Sequence, residues 1–586
     1  MVLTLIVLPM ITAALVLAFS SVRMLYLLCT ALLAIGSFLS VSIFTSAEHL
    51  SFYLPYTLNT MIVIADIVLL LYFLYQGSKY KSPKIMILAA VQLLLYGWAE
   101  SAAPSGGSAE VIVDDLSGFM FLIINIVGGI IVLYSVRYME DEPATPFKKR
   151  LFVGSLLLFL SVMNTLVCAN SLLLFFFLFE LTTLASYQLI AFRDDEVSRT
   201  NALKALWMNQ IGGVVILAGI LVGVSGFGTV MLDTLIQQSG GVLLLGVAFL
   251  SMAALVKGAS IPFDSWLLGA MVAPTPVSAM LHSATMVKIA PYLMLKLAPL
   301  LGMTLLGGLL SVTGALVFVA ASYLALSRSL LKEILGYSTV ALLGLMMSLA
   351  AIGTQESMTL AMVLMGFHAL SKALLFLAAG VLEKQYHMKN IEEMKGLVRR
   401  APKTVAFIVF GFVSLTLPPF GLFMGKLFAI TSVASLLRER PLLLIVLLSM
   451  IIGSTLLVLL YFKVSSALLS NTSDVVGAEE ERIPPGFSIP LIFLTLLILG
   501  SGAGFIIIQR DVLLALFILP LLFVFALPSM VRSMERYDRT GPYQCGEKEP
   551  FDAALVYYEP SPPVKQVIYG SFTLVFVAVA VVGAFS

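Results

Sequence analysis

Residues 171–190 read SLLLFFFLFELTTLASYQLI, an apolar run with one carboxylate, Glu180, near its centre. About 20 mostly apolar residues are what a helix needs to cross a bilayer. An isolated charge at the middle of that bilayer costs about 2.5–3.5 kcal/mol on insertion scales, and such residues usually face a protein interior or a water-filled path. Glu180 is not alone. Lys257, His282, Lys288, His368, Lys372 and Lys426 also lie inside, or at breaks within, runs of Leu, Phe, Ala and Val. A chain that keeps so many ionisable groups in lipid is expected to move protons or ions.

The rest of the chain agrees. Of its 586 residues, 60% are hydrophobic and only 11% charged, with mean hydropathy +1.04. Soluble domains carry roughly 25% charged residues, so the expected fold is an all-α polytopic membrane protein. Apolar runs predict about 18 transmembrane helices, near 2–20, 24–45, 57–77, 83–99, 116–136, 150–166, 170–192, 200–226, 241–272, 274–297, 302–325, 332–352, 356–383, 403–431, 440–464, 487–509, 511–530 and 564–585. The longest polar stretches, 384–402, 465–486 and 531–563, are loop-sized, so no soluble domain is expected. No basic residue precedes the first apolar run, and a cleaved signal peptide is not expected. The three cysteines (Cys29, Cys168, Cys545) lack metal spacing and are too few for a protein-held iron–sulfur cluster. A net charge of +2 gives no sign of nucleic-acid binding.

Basic residues set the expected orientation. With the N-terminus outside, the inside loops hold Arg23; Lys79, Lys81 and Lys84; Arg137 and Lys148 to Arg150; Arg193 and Arg199; Arg328; and a cluster from Lys384 to Lys403. Later inside loops add Lys463, Arg482, Arg532, Arg536, Arg539 and Lys548, whereas the outside loops hold little beyond Lys296, Arg438, Arg440 and Arg510. By the positive-inside rule this places both termini outside a cell membrane.

Two blocks of five helices follow one another, a first half-channel at 150–300 and a second at 301–465. Residues 1–113 form extra N-terminal helices, 114–149 a helix preceding the repeats, and 466–586 C-terminal helices with a short cytoplasmic amphipathic loop. In each block the fourth helix is broken, first at LVKGASIPF (255–263) and then at LTLPPFGLFMGK (415–426, with Pro418 and Pro419). A repeat with an odd number of spans must sit inverted relative to its neighbour. Inverted repeats with discontinuous helices in matching positions point to a transporter's ion site. Lys257 precedes its break and Lys426 follows its own, so the match is not residue for residue.

A buried carboxylate seeks a cation, and Lys257 and Lys204 are the candidates for Glu180. Lys204, in ALKALWMNQIGG (202–213), could equally snorkel to the surface. Desolvation makes an ammonium easier to deprotonate, and an approaching carboxylate reverses the effect, so a row of lysines is a switchable proton relay. Lysine offers no acceptor to a bare metal cation, which favours protons over sodium along this row. His368 and Lys372 are four apart and share a helix face. His282 and Lys288 are six apart and point about 120° away from each other, as suits a link between two neighbours. Histidine is the natural carrier near neutral pH. Lys332, beside Glu333 near the inside surface, is either the place where protons arrive or a loop anchor. Asp66, alone in MIVIADIVLLLYF (61–73), reads as a contact to a neighbouring polypeptide. No Walker sequence, dinucleotide fingerprint or cysteine–histidine ligand set is present, so the driving energy must be an ion gradient or a partner.

Seven stretches together resemble the antiporter-like membrane subunits shared by respiratory complex I, Mrp cation/proton antiporters and energy-converting [NiFe] hydrogenases. They are DDLSGFMFLIINIVGGIIVLYSVRYM (114–139), FFFLFELTTLASYQLIAF (175–192), ALKALWMNQIGG (202–213), LVKGASIPFDSWLLGAMVAPTPVSAMLHSATMVKIAPYL (255–293), LKEILGYSTV (331–340), FHALSKALLFLAAG (367–380) and LPPFGLFMGKLFAI (417–430). The resemblance makes Glu180 and Lys257 the paired charges of the first half-channel and Lys288 with His282 the link. It makes Lys372, His368 and Lys426 the second half-channel, with Lys426 nearest the exit. Many members read WLPDA after the first break; here it is WLLGA, with Asp264 where a histidine or glutamine is common. The variant SWLLGAMVAPTPVSA (265–279), followed by LHSATMVK (281–288), looks most like the large membrane subunit of energy-converting hydrogenase or formate hydrogenlyase type complexes. PYQCGEKEP (542–550) is similar to the same group. The segment 531–563 could span only about 50 Å as a helix, too short for the long lateral helix of the largest complex I subunit.

The resemblance implies a proton-translocating, non-catalytic subunit of an oxidoreductase complex, with no cofactor in this chain and a NiFe centre and Fe–S clusters in partner subunits. Its partners would be other membrane subunits, a peripheral cytoplasmic redox module and lipid, with protons as the ion and any sodium passing through a partner. Two alternatives remain: a cation/proton antiporter subunit of an Mrp-type complex, and a non-conducting membrane scaffold for an oxidoreductase.

Overall fold

The computed structural model describes all residues except 47–48, 105–109, 239, 419, 471–480, 510–561 and 586. The predicted helix at 511–530, the loop at 531–563 with Cys545 and PYQCGEKEP, and Pro419 of the second break lie outside the described residues. A segment in lipid must satisfy its backbone polar groups internally, and the apolar runs do so as helices. Fourteen described helices are long and apolar enough to cross a membrane, from Val22–Ser46 to Pro485–Gly504. Three shorter apolar ones are Val2–Ala18, Gly241–Lys257 and Ile568–Gly583. One small antiparallel sheet pairs Leu50–Phe52 with Val111–Val113, Leu50 opposite Val113.

Helix ends are marked by short polar side chains. Asp114 accepts from the Ser117 amide at 2.9 Å, Asp195 from Ser198 at 2.6 Å, and Thr354 and Ser357 form a reciprocal capping box. The centre of the molecule is the Leu331–Ile352 helix, buried along its length except near its first turn, whereas Tyr56–Lys79 at the edge is mostly exposed to its surroundings. That helix meets Leu305–Leu326 at a glycine pair. A Cβ on Gly314 would sit 2.5 Å from the Gly344 carbonyl oxygen, and one on Gly344 2.7 Å from that of Gly314. Without a hydrophobic drive between helices in lipid, such close backbone approach is what holds them together.

Both breaks are present. The first helix ends at Lys257, and its freed carbonyls are capped locally. Gly258 N bonds to Ala254 O, Ser260 N to Leu255 O, and the Trp266 indole to Val256 O at 3.1 Å. Ile261–Pro262 is a cis peptide bond. Residues 257–261 are buried, the condition under which irregular backbone is tolerated at membrane depth. The second break separates Pro402–Thr416 from Gly421–Ser435. The span read as one helix at 274–297 departs from that expectation. It passes through a π turn at Met280–Ala284 and a 3-10 turn at Met286–Lys288, joined at Thr285 with φ −127° and ψ −102°. A further π turn, Leu382–Tyr386, carries Glu383. Single π turns within helices recur at functional sites.

Candidate functional site

Glu180, Lys257, His282, Lys288, His368 and Lys372 are each 0% exposed, and Lys426 is 3% exposed. Each needs a partner inside the protein, and the partners divide the row into separate stations.

At the first, Gln92 of the Pro83–Ala102 helix donates to Glu180 Oε1 at 2.9 Å and to the Gln210 carbonyl at 3.0 Å. Lys257 is the cation that acts on the Glu180 carboxylate, but its ammonium bonds elsewhere, to Phe179 O at 3.1 Å and Thr183 Oγ1 at 3.0 Å. It also stands over the Phe179 ring at 3.8 Å, a cation–π contact. Glu180 and Lys257 are thus neighbours held apart. Lys204 is half-buried on the Glu196–Phe227 helix and makes no hydrogen bond or ion pair among the described residues.

At the second station the Lys288 ammonium lies 2.5 Å from His368 Nδ1. The sequence reading had Lys288 and His282 point to different neighbours as a link between the two blocks, with His368 and Lys372 on one helix face; Lys288 meets His368 of the Gln355–Val381 helix. His282 packs its ring on Phe376 at 4.9 Å and sits within electrostatic reach of both Lys288 and Lys372. Its two ring nitrogens and His368 Nε2 make no hydrogen bond at normal distance among the described residues.

Lys372 repeats the arrangement of Lys257. Its ammonium donates to Leu335 O at 3.0 Å and to the Ser338 hydroxyl. Lys426 donates to Leu415 O at 3.2 Å, a carbonyl freed by the second break. A backbone carbonyl accepts but cannot take a proton, so it holds the charge in place. The hydroxyls of Thr183 and Ser338 both accept and donate, so a proton can pass through them.

One end of the bundle carries a cluster of which the sequence reading singled out Lys332 but not Glu383 or Glu142. Glu383 receives Lys332 at 2.6 Å and Thr275 at 2.6 Å, with Arg193 at 3.8 Å. Beside it Glu142 binds Arg193 at 2.9 Å and Lys384 at 2.5 Å. Burial opposes ionisation of Glu142, and the hydrogen bonds from Arg193 and Lys384 outweigh it, holding its carboxyl below its ordinary 4.5. A cavity of about 230 Å³ opens between Arg193, Lys332, Glu333, Glu383 and Lys389. Glu383 follows an apolar run next to Lys384, which hid it among loop charges. Gln92, Thr183 and Ser338 gave no signal because uncharged polar residues are common in membrane helices.

Two acidic residues stand apart. Asp264 accepts from the Tyr569 hydroxyl of the last described helix at 2.7 Å, and Phe263 meets Phe576 edge-on at 4.9 Å. Asp66, expected to touch a neighbouring polypeptide, is 0% exposed within this chain. Among the described residues no group of three or more His, Cys, Asp or Glu could hold a metal ion.

Two family models match the chain. One, described as NADH:quinone oxidoreductase/Mrp antiporter, TM, matches residues 169–456. The other, described as NADH-Ubiquinone oxidoreductase (complex I), chain 5 N-terminus, matches residues 105–146. Na(+)/H(+) antiporter subunit A1 of Staphylococcus haemolyticus is 32% identical over 344 residues, 55% of this chain and 42% of that protein. NADH-quinone oxidoreductase subunit L of Pseudomonas aeruginosa is 33% identical over 341 residues, 56% of this chain and 54% of that protein. The chain therefore spans about half the length of these relatives. In fold it is similar to a chain of the Mrp complex from a Dietzia species, with TM-score 0.61 and 18% identity over 82% of this chain and 98% of that one. It is also similar to a chain of an archaeal membrane-bound sulfane sulfur reductase, with TM-score 0.60 and 20% identity over 81% of this chain and 97% of that one. The chain is a multi-pass membrane protein that belongs to the antiporter-like subunit family of complex I and the Mrp antiporters.

Proposed function

We propose that this chain translocates protons through the buried row Glu180, Lys257, Lys288, His368, His282, Lys372 and Lys426, with the Lys332–Glu383 cluster as the opening on one surface. The observation that carries the proposal is the Lys288–His368 contact. It joins a lysine of the first five-helix block to a histidine of the second, at a distance where one proton can pass between two nitrogens. When Lys288 gives up its proton, His368 Nδ1 takes it; the imidazolium then holds the charge until Lys372 or His282 receives it. Lys257 is governed by Glu180, whose charge favours the ammonium when ionised and releases it when neutral. Lys204, with no hydrogen bond or ion pair among the described residues, is not assigned a step in this row.

In this reading the chain is a membrane subunit of an energy-converting hydrogenase-type complex in the plasma membrane, with both termini outside and inverted half-channels at 150–300 and 301–465. The support is the stretch 265–288. Redox centres, NiFe and Fe–S, reside in partner subunits of a peripheral module. A second reading, a cation/proton antiporter subunit of an Mrp-type complex, is favoured by the identity to the staphylococcal antiporter subunit.

The deciding experiment is purification of the native complex by a tag on this chain, with identification of every accompanying subunit and its metal content. A nickel-containing subunit with small iron–sulfur proteins is the expected result. A set of small hydrophobic subunits without metal would overturn it in favour of the antiporter, assayed by sodium-dependent proton exchange.

A further inference from the structure

Asp66 is a buried ionisable group that this pathway does not use. It sits on the Tyr56–Lys79 helix, 0% exposed, and neither carboxylate oxygen has a hydrogen-bond partner at normal distance. It makes no ion pair among the described residues. The titratable groups that face it are Glu180 from the Leu172–Ile190 helix and Tyr96 and Glu100 from the Pro83–Ala102 helix. A buried carboxylate without a counter-charge is expensive to keep ionised, and one kept for packing alone is cheaper as an apolar residue.

Gln92 and Tyr96 are one turn apart on Pro83–Ala102; Gln92 bonds to Glu180, and the Tyr96 hydroxyl is the donor that faces Asp66. Gln92 spends both amide hydrogens, on Glu180 Oε1 and the Gln210 carbonyl, and its own oxygen is left buried without a donor. Glu180 Oε2 is likewise without one. With the two oxygens of Asp66, this makes four buried acceptors that cannot satisfy each other; the Tyr96 hydroxyl can serve one oxygen of Asp66, and a proton shared by the two carboxyls would serve another. The packing leaves the groups little freedom. The Tyr96 ring stacks on Phe176 at 5.8 Å, and a Cβ on Gly213 would strike both Glu180 Oε1 and Gln92 Nε2. The outer face of the Tyr56–Lys79 helix, with Ile64, Val68 and Leu71, is bare, so Asp66 lies on a helix at the edge of the chain.

We propose that Asp66 is a proton-carrying residue that extends the row beyond Glu180 into the Tyr56–Ala102 hairpin, with Gln92 and Tyr96 as positioning residues. The proposal rests on the relay reading above. One proton is shared by the two carboxyls. As the O–H bond on Asp66 breaks, one forms on Glu180, and the pair keeps a single negative charge throughout. With the proton on Asp66, Glu180 is ionised and draws Lys257; with the proton on Glu180, Lys257 is released.

The test uses the native complex in proteoliposomes, comparing Asp66→Asn, Asp66→Glu and Glu180→Gln for proton translocation across a range of pH. The expected result is at least a tenfold loss in Asp66→Asn and Glu180→Gln, with translocation kept but its pH profile displaced in Asp66→Glu. If Glu180→Gln is blocked while Asp66→Asn matches the wild type, the extension is overturned and the relay stands. If Glu180→Gln itself matches the wild type, the relay reading falls and this proposal with it. Should Asp66→Asn fail to assemble, Tyr96→Phe carries the test: a displaced pH profile supports the proposal, and an unchanged one overturns it.

Discussion

Lys288 Nζ lies 2.5 Å from His368 Nδ1, joining two positions 80 residues apart in sequence and buried from solvent. Lys288 stands at the end of a stretch, 280–288, where the backbone leaves the regular helix. In a continuous α-helix Lys288 would stand about 120° from His282. The junction between the two halves of the proposed row therefore adjoins a local irregularity, and it is the first place to test.

His368→Gln keeps an acceptor near Lys288 but carries no proton near neutral pH. Proton translocation by the reconstituted complex should fall at least about tenfold, a small part of the 10²–10⁴ that positioned acid–base groups contribute. Wild-type translocation in an assembled variant would remove His368 from the path.

Lys257→Ala and Lys426→Ala should each abolish translocation and leave assembly intact. The loss of a buried charge removes a desolvation cost of about 3 kcal/mol, which offsets part of the cavity left behind. Native gels report assembly and vesicle acidification reports transport; normal acidification in either variant contradicts the assignment.

Gly213→Ala inverts an ordinary expectation. In an exposed helix interior alanine is more favourable than glycine by about 0.8–1.0 kcal/mol. Here the added methyl meets the Glu180 carboxylate and the Gln92 amide, and overpacking of this kind costs about 1–3 kcal/mol. The purified protein should melt at a lower temperature and translocate more slowly.

Glu383→Gln leaves Lys332 with no carboxylate at 2.6 Å and should destabilise the fold, by less than the about 3–5 kcal/mol of a fully buried pair because both side chains are half-buried at the cavity. Adding Lys332→Met should recover part of the loss. A double-mutant cycle in thermal denaturation measures the coupling, and strict additivity would show that the pair does not interact.

Glu142 sets an acid limit. Its carboxyl is held below the ordinary 4.5 in the folded protein, so its stabilisation is complete above that value and lost as pH falls through the folded value. Asp114 behaves alike. Burial opposes its ionisation, and Lys296 at 2.5 Å with the Ser117 bonds holds it below its ordinary 3.8. Melting temperature should fall on acidification below about pH 4.5, and Glu142→Gln should reduce that slope.

The chain's apolar runs and the charges set within them determined the membrane class, the approximate helix positions, both breaks and the identity of the buried lysines and histidines. These are local properties: a helix-length stretch in lipid has no alternative to internal hydrogen bonding, and a charge inside it is conspicuous from composition alone. Only the tertiary structure decided who meets whom. It turned Lys288 to His368, gave Lys257 and Lys372 a carbonyl and a hydroxyl each, brought Glu383 to Lys332, and buried Asp66 beside Gln92, Tyr96 and Glu180. Those partners are uncharged, distant in sequence or disguised as loop charges, and backbone irregularities at Thr285 and Glu383 direct some of them. Which side chain satisfies a buried charge depends on helix packing and on where a turn slips from α to π, and neither has a period that the sequence displays.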